Sequence, residues 1–194
     1  MKKLQPKVYT DVLTQLQSPT PQQVTITFNS RFSAKQEAEI RNYIQLTVGM
    51  SKQQSSGAPI KINVEPTASK KIAGKYDPLF KRLYVHKDTD VSTILHETVH
   101  AMQHQLQYGV AASNAHGDAA TSGRQATTEP GYKTYTGITD NAYAYRVYPS
   151  GAAAIVGRWS ELLTTGLDSI VQWSSWKDRS LIELTTQIIK DNSK

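Results

Sequence analysis

The stretch STILHETVHAMQHQLQ, residues 92–107, carries the strongest structural signal in the chain and holds three of its five histidines. Apolar side chains recur along it at helical spacing, at Leu95, Val99, Met102 and Leu106. This spacing predicts an amphipathic α-helix whose apolar stripe faces a core. His96, Glu97 and His100 lie beside the stripe, so the helix would present them to a cleft at the edge of that core.

The three polar residues beside the stripe spell H-E-x-x-H. Residues four apart on an α-helix project from the same face, about 6 Å apart along the axis, so His96 and His100 can reach one zinc ion. Glu97 lies about 100° around the helix from His96, which lets its carboxylate stay off the metal. Zinc lowers the pKa of a bound water to about 7, and Glu97 is placed to take that proton as general base. The alternative is that both histidines are ordinary surface residues of the helix.

The remaining histidines are not expected to bind the same ion. His104 lies about 12 Å along the axis from His96, too far to share a metal on an unbroken helix. We expect His104 to line the cleft or to hydrogen-bond nearby, whereas His86 and His116 have no assigned role. The motif thus supplies two protein ligands, and a third must come from elsewhere in the chain.

With the H-E-x-x-H helix and the predicted strand KRLYVHK (residues 81–87) just ahead of it, the sequence resembles the zincin metallopeptidases over residues 60–159. The resemblance implies a zinc-dependent enzyme that hydrolyses peptide bonds in a peptide or protein substrate. It also implies that a strand and the motif helix frame the active site, where an extended substrate pairs with an edge strand. KRLYVHK is the candidate for that strand. The alternative is a catalytically inactive zincin-fold protein that serves as a binding or structural module.

Zincin subgroups differ in the third zinc ligand, and the aspzincin pattern G-T-x-D-x-x-Y-G provides the first candidate. The stretch GITDNAYA, residues 137–144, matches its Gly, Asp and Tyr and departs from it at Ile138 and Ala144. By this resemblance Asp140 is the third ligand, and Tyr143 steadies the oxyanion of the tetrahedral intermediate. The alternative role of Asp140 is that of an acidic residue at a helix N-terminus, where the helix dipole favours it.

The other zincin subgroups provide two further candidates. The metzincin form needs a histidine where this chain has Leu106, and is therefore excluded. A gluzincin takes a glutamate from a later helix, but where YRVYPSGAAAIVGRW resembles that helix the chain has Gly151 and Ala153, which cannot coordinate a metal. Glu161 is the next acidic residue on that segment, and Glu129 lies in the loop before it. We rank Glu161 and Glu129 second and third, behind the aspartate of the aspzincin-like stretch.

The pattern outside the motif predicts an α+β fold. QQVTITFNS (residues 22–30), IKINVE (residues 60–65) and KRLYVHK are β-branched or alternate in polarity, which predicts strands. Ser33 is a candidate N-cap for a helix between the first two strands. Helices are expected again over residues 139–148 and 150–166, and in two segments after them. The resulting order is β-α-β-β-α followed by helices.

We predict one zincin-like domain over residues 1–194, with a short mixed or antiparallel sheet, the motif helix and a helical C-terminal part. Residues 111–137 contain no Leu, Ile, Val, Met or Phe. A segment of this composition buries little apolar surface, so we expect a flexible loop or flap.

Composition limits the classes of function. No cysteine is present, which excludes disulfides and thiolate metal sites. The first residues lack the apolar run of a signal peptide, and no stretch reaches transmembrane length. We therefore expect a cytoplasmic protein, or one released without a classical signal peptide. The net charge of +6 would suit an anionic polymer, nucleic acid or cell wall, but the basic residues are scattered, which favours a solvated surface.

Overall fold

The computed structural model describes residues 6–68, 74–86, 89–110, 147–148, 159–172 and 179–194, which have an α+β architecture. In these ranges the helices are α1 (Pro6–Gln15), α2 (Ala34–Val48), α3 (Val91–Leu106), α4 (Leu162–Gln172) and α5 (Arg179–Ser193). The strands are β1 (Val24–Phe28), β2 (Ile60–Pro66), β3 (Gly74–Asp77), β4 (Arg82–Val85), β5 (Val147–Tyr148) and β6 (Trp159–Ser160). The predicted α+β class is therefore confirmed.

Four strands form one mixed sheet in the order β1-β2-β4-β3. β1 and β2 are parallel, as are β2 and β4, whereas β3 runs antiparallel to β4. Side chains alternate between the two faces of each strand, and the buried apolar ones include Ile26, Ile62, Val64, Leu83 and Val85. α3 packs against β2, β3 and β4, and it also contacts α2 and α4. The motif helix therefore joins the sheet to the C-terminal helices.

Polar side chains cap the starts of two helices, and the N-cap predicted from the sequence, Ser33, is confirmed. α2 begins after Ser33, whose Oγ accepts a hydrogen bond from the Gln36 backbone N–H at 3.3 Å, while the Gln36 side chain accepts one from the Ser33 N–H at 3.0 Å. α3 begins after Asp90, whose carboxylate accepts a hydrogen bond from the Thr93 N–H at 2.9 Å. The buried positions of its predicted apolar stripe are Leu95, Val99 and Met102.

The strand order corrects one expectation about the sheet. β4 forms within the stretch KRLYVHK as predicted, but it has β2 on one side and β3 on the other, so it is not an edge strand. The edge strand beside α3 is β3, a four-residue segment that the sequence pattern did not predict. Its sequence GKYD has a single large apolar side chain, too few to show a period of two. Pairing with β4 and packing against α3 therefore form this strand. α1 is likewise an unpredicted element.

The C-terminal part is not helical throughout. The helix predicted over residues 139–148 is wrong at Val147–Tyr148, and the one over residues 150–166 is wrong at Trp159–Ser160. These two pairs of residues form the antiparallel strands β5 and β6. A two-residue strand has no periodicity of its own and depends on its partner, so a pattern rich in alanine does not reveal it. α4 and α5 confirm the helices expected near the C-terminus.

Some expectations fall outside the described residues. The flap predicted over residues 111–137 lies outside them. Within the described ranges, no helix has both the length and the apolar character needed to cross a membrane.

Candidate metal centre

α3 places the rings of the two motif histidines in contact, edge to face. His96 and His100 are one helical turn apart, and their ring centroids are 4.9 Å apart with the ring planes at 82°. The His96 side chain is 14% exposed and the His100 side chain 7% exposed, so both lie below the surface at the edge of the core. The cleft position predicted from the apolar stripe therefore agrees with the packing of this helix.

Glu161 lies at the start of α4, and its side chain contacts both histidines. Its backbone carbonyl accepts a hydrogen bond from the Thr165 N–H at 2.9 Å, so the residue stands at the first turn of that helix. Its side chain is 3% exposed, and Oε2 lies 2.9 Å from His96 Nε2 and 3.1 Å from His100 Nε2. Ligands about 2.1 Å from a tetrahedral zinc ion stand about 3.4 Å apart, close to these separations.

The hydrogen bonds of His100 fit a metal ligand. Its Nδ1 lies 2.8 Å from Gln103 Oε1, and its Nε2 faces Glu161 Oε2, so each ring nitrogen meets an acceptor. A neutral imidazole has one N–H and can donate to only one of them. When Nδ1–H donates to Gln103, the Nε2 lone pair faces a carboxylate, and either a second proton or a cation must lie between them. A histidine whose second ring nitrogen is held by an acceptor is typical of metal sites.

The Glu161 carboxylate is held in its charged form. Burial raises the pKa of this carboxyl, but its hydrogen bonds and electrostatic interactions with His100 and His96 outweigh burial and hold the pKa well below its usual range. The Thr164 hydroxyl lies 3.0 Å from Oε2 and 2.8 Å from the Glu161 carbonyl, which fixes the side chain against the helix start. An ionised, oriented carboxylate is the form that binds a metal ion.

Glu97 lies beside the edge strand, apart from the cluster. Its Oε2 accepts a hydrogen bond from the Tyr76 backbone N–H at 2.7 Å. Gly74 packs so closely against it that an added Cβ would stand 3.2 Å from Glu97 Cγ. This position agrees with the expectation that the carboxylate stays off the metal. Its role as general base stays a prediction.

His104 does not join the cluster, and its predicted hydrogen-bonding role is confirmed. Its Nδ1 lies 3.0 Å from Tyr76 Oη, which also accepts a hydrogen bond from Gln105 Nε2 at 3.1 Å. Burial, and then the charge of Lys81, lower the pKa of His104, whereas burial raises the pKa of Tyr76 to about 12. These shifts favour a neutral His104 hydrogen-bonded to the Tyr76 hydroxyl, and this contact holds β3 against α3.

One of the three candidate third ligands lies next to the histidine pair in the structure. Glu161, ranked second from the sequence, contacts the histidine pair, whereas Asp140, Glu129 and Tyr143 lie outside the described residues and stay predictions. Sequence reasoning did not single out Gln103. Its position three residues after His100, on the same helix face, is the signal that could have identified it.

Among the described residues, His96, His100 and Glu161 form a group whose ligand atoms all lie within 4.8 Å of one another. The group could hold a metal ion. Two imidazoles and a carboxylate suit zinc and also other divalent ions of the first transition series. Comparison of the chain with protein-family models, with curated proteins and with solved structures finds no match.

Proposed function

We propose that the chain is a zincin-type zinc metallopeptidase that hydrolyses peptide bonds, with His96, His100 and Glu161 as zinc ligands and Glu97 as general base. The observation that carries the proposal is the position of Glu161 Oε2, 2.9 Å and 3.1 Å from the Nε2 atoms of the two motif histidines. A glutamate from a later helix is the third ligand of the gluzincin subgroup. We therefore place Glu161 ahead of Asp140 as the ligand.

The donor set supports a catalytic rather than a structural site. Catalytic zinc sites use three protein ligands and keep a further position for water or substrate, and His-His-Glu is one such set. Bound zinc would polarise the scissile carbonyl and lower the pKa of the attacking water. His100 would be oriented for this role by Gln103, and Glu161 by Thr164.

Glu97 would carry the proton transfers of the reaction. Its carboxylate would take a proton from the attacking water as the new C–O bond forms, and deliver it to the amide nitrogen as the C–N bond breaks. The Tyr76 N–H holds Oε2 during both steps, which fixes the carboxylate relative to the edge strand. Stabilisation of the oxyanion by Tyr143 stays part of the proposal.

β3 takes the place that the sequence assigned to KRLYVHK. It is the strand at the edge of the sheet beside α3, and its Tyr76 N–H points outward to Glu97. Because Glu97 already accepts the Tyr76 N–H, an extended peptide would pair with the other outward backbone groups of β3 and so run past the general base. The proposal thus assigns substrate main-chain contacts to β3 instead of β4.

The rival candidate is a zincin-fold module without catalysis, inferred from Gly151 and Ala153, which stand where a ligand was expected. Metal analysis and a cleavage assay distinguish the two. We expect one zinc ion per chain in purified protein, and chelator-sensitive cleavage of a mixed peptide library read by mass spectrometry. A protein with zinc but no cleavage would favour the module, and a protein that binds no zinc would contradict both the site and the enzyme.

The motif histidine His96 and the more distant His104 should differ sharply in this assay. His96→Ala removes one of the three zinc ligands and should reduce the zinc content to near zero. His104→Gln is the matched control, because its side-chain oxygen can still accept the Tyr76 hydrogen bond. It should keep the full zinc content. Equal zinc contents in the two variants would contradict the assignment of His96.

Gln103→Leu should weaken zinc binding about 10–100-fold without removing a ligand, because His100 loses the acceptor that orients its ring. Gln103 is 1% exposed, so a leucine of similar size keeps the site packed. Competition with a chromophoric chelator measures the affinity. The control is the exposed Gln45→Leu on α2, which should leave the affinity unchanged. An unchanged affinity in Gln103→Leu would show that this hydrogen bond does not support the metal centre.

A further inference from the structure

Large apolar side chains are exposed at one place in the part of the chain that the structure describes. Leu79 is 65% exposed and Phe80 is 53% exposed, and the described residues include no other large apolar side chain classed as exposed. The two residues are adjacent in the turn between β3 and β4, and we call them the apolar tip. Single exposed apolar residues are common, whereas these two neighbouring large side chains form a small contiguous apolar surface on one turn.

The backbone of the apolar tip is held in place by the sheet. Asp77 Oδ1 accepts hydrogen bonds from the N–H of Leu79 at 3.0 Å and of Phe80 at 3.5 Å. Asn63 on β2 donates from Nδ2 to the Phe80 carbonyl at 3.2 Å. Pro78 stiffens the turn further, because its ring fixes φ. Binding through a preorganised turn loses little conformational entropy.

Basic side chains surround the apolar tip. Lys81 and Arg82 follow it directly, and the exposed Lys75 lies on β3. Arg82 Cζ is 4.9 Å from the centroid of the Phe80 ring, which keeps a cation beside the apolar surface. Asp77 is the acidic side chain of the turn, and its Oδ1 is engaged by the N–H groups of the turn itself. Arg82 also interacts electrostatically with Glu65 on β2, so three cations stand against two carboxylates and the surroundings of the tip are net positive.

We propose that the apolar tip inserts into the headgroup region of an anionic lipid membrane, with Lys75, Lys81 and Arg82 contacting the acidic headgroups. Interfacial binding of this kind combines a few buried apolar side chains with cations near an anionic surface. A stable protein partner would need about 800 Å² of surface on each side, which two side chains on one turn do not supply. The proposal does not depend on the metal centre. Because β3 leads from the Glu97 contact to the tip, docking would hold the cleft at the membrane surface.

A single introduced thiol can report on the tip, because the chain has no cysteine. The full chain with Leu79→Cys is labelled with the environment-sensitive dye NBD and mixed with phosphatidylcholine vesicles that contain about 30% phosphatidylglycerol. We expect a fluorescence increase and a blue shift, absent with phosphatidylcholine alone and weakened by about 1 M salt. Ser55→Cys, in the exposed loop before β2, is the matched control and should show no change.

Co-sedimentation with the same vesicles tests the unlabelled protein. Combined Leu79→Ser and Phe80→Ser substitutions should lower the partition coefficient at least about tenfold. Lys81→Asn should lower it about fivefold, and asparagine tolerates the positive φ of 52° at this position. Circular dichroism checks that each variant folds like the parent.

Three results would overturn the proposal. The first is a wild-type protein that stays in the supernatant with anionic vesicles. The second is binding that the double serine variant retains. The third is a dimer that the double variant loses while neither protein binds lipid, which would assign the apolar tip to a second copy of the chain.

Discussion

Glu161→Gln should lower the affinity for zinc by more than about 100-fold. Removing a residue that only hydrogen-bonds a metal ligand already lowers metal affinity about 10–100-fold, and Glu161 is proposed as a ligand itself. The substitution keeps the size of the side chain but removes the charge that attracts the ion. Its amide also turns an NH₂ group or an uncharged oxygen towards two imidazoles that stand 2.9 Å and 3.1 Å from the present carboxylate oxygen. Zinc content after dialysis and competition with a chelator measure the effect.

The matched control for this variant is Asp140→Asn, which removes the acidic residue ranked first from the sequence. It should keep the zinc content and the affinity of the parent. The opposite pattern, with zinc retained in Glu161→Gln and lost in Asp140→Asn, would make Asp140 the third ligand. That result would refute the ligand assignment while leaving the histidine pair intact.

Glu97→Gln should reduce peptide hydrolysis by about 10²–10⁴-fold while the zinc content stays that of the parent. Glutamine keeps an oxygen that can accept the Tyr76 N–H, now 2.7 Å from the carboxylate, so the side chain should keep its position. It cannot take up a proton from water, which removes the general base alone. The measurement is kcat/KM on a peptide identified in the library screen, with metal analysis of the same sample.

A control variant and the zinc content of Glu97→Gln show whether Glu97 acts as the base. Glu39→Gln on α2 removes an exposed carboxylate away from the motif helix and should leave kcat/KM unchanged. A Glu97→Gln protein that has lost zinc would show that Glu97 supports the metal centre itself. Full activity with full zinc content would exclude Glu97 as the base and with it the proposed mechanism.

Local signals in the sequence predicted two helices that depend on neighbours along the chain, α2 and α3. The Ser33 capping box begins α2, and the Asp90 cap begins α3, because each bonds to a backbone N–H within one turn. The burial of Leu95, Val99 and Met102 follows from helical spacing alone. The same spacing sets His96 and His100 on one face, so helical periodicity predicts both histidines of the cluster.

The third member of the cluster shows where prediction from spacing ends. Glu161 lies 61 residues beyond His100, and no spacing rule connects the two. The resemblance to aspzincins favoured Asp140, because a matching pattern was the only available criterion. What brings Glu161 to the histidines is the packing of α4 against α3, a contact between elements far apart in the chain.

The sequence by itself determined the α+β class, the helix that carries H-E-x-x-H and the placement of its histidines, since these follow from periodicity and capping within a few residues. The tertiary structure alone decided that β3 is the edge strand beside α3, that it holds Glu97 through Tyr76, and that Glu161 completes the cluster. Strand order and helix packing join residues that are distant in sequence. Their free energy comes from buried surface and paired backbone groups that exist only once the chain has folded.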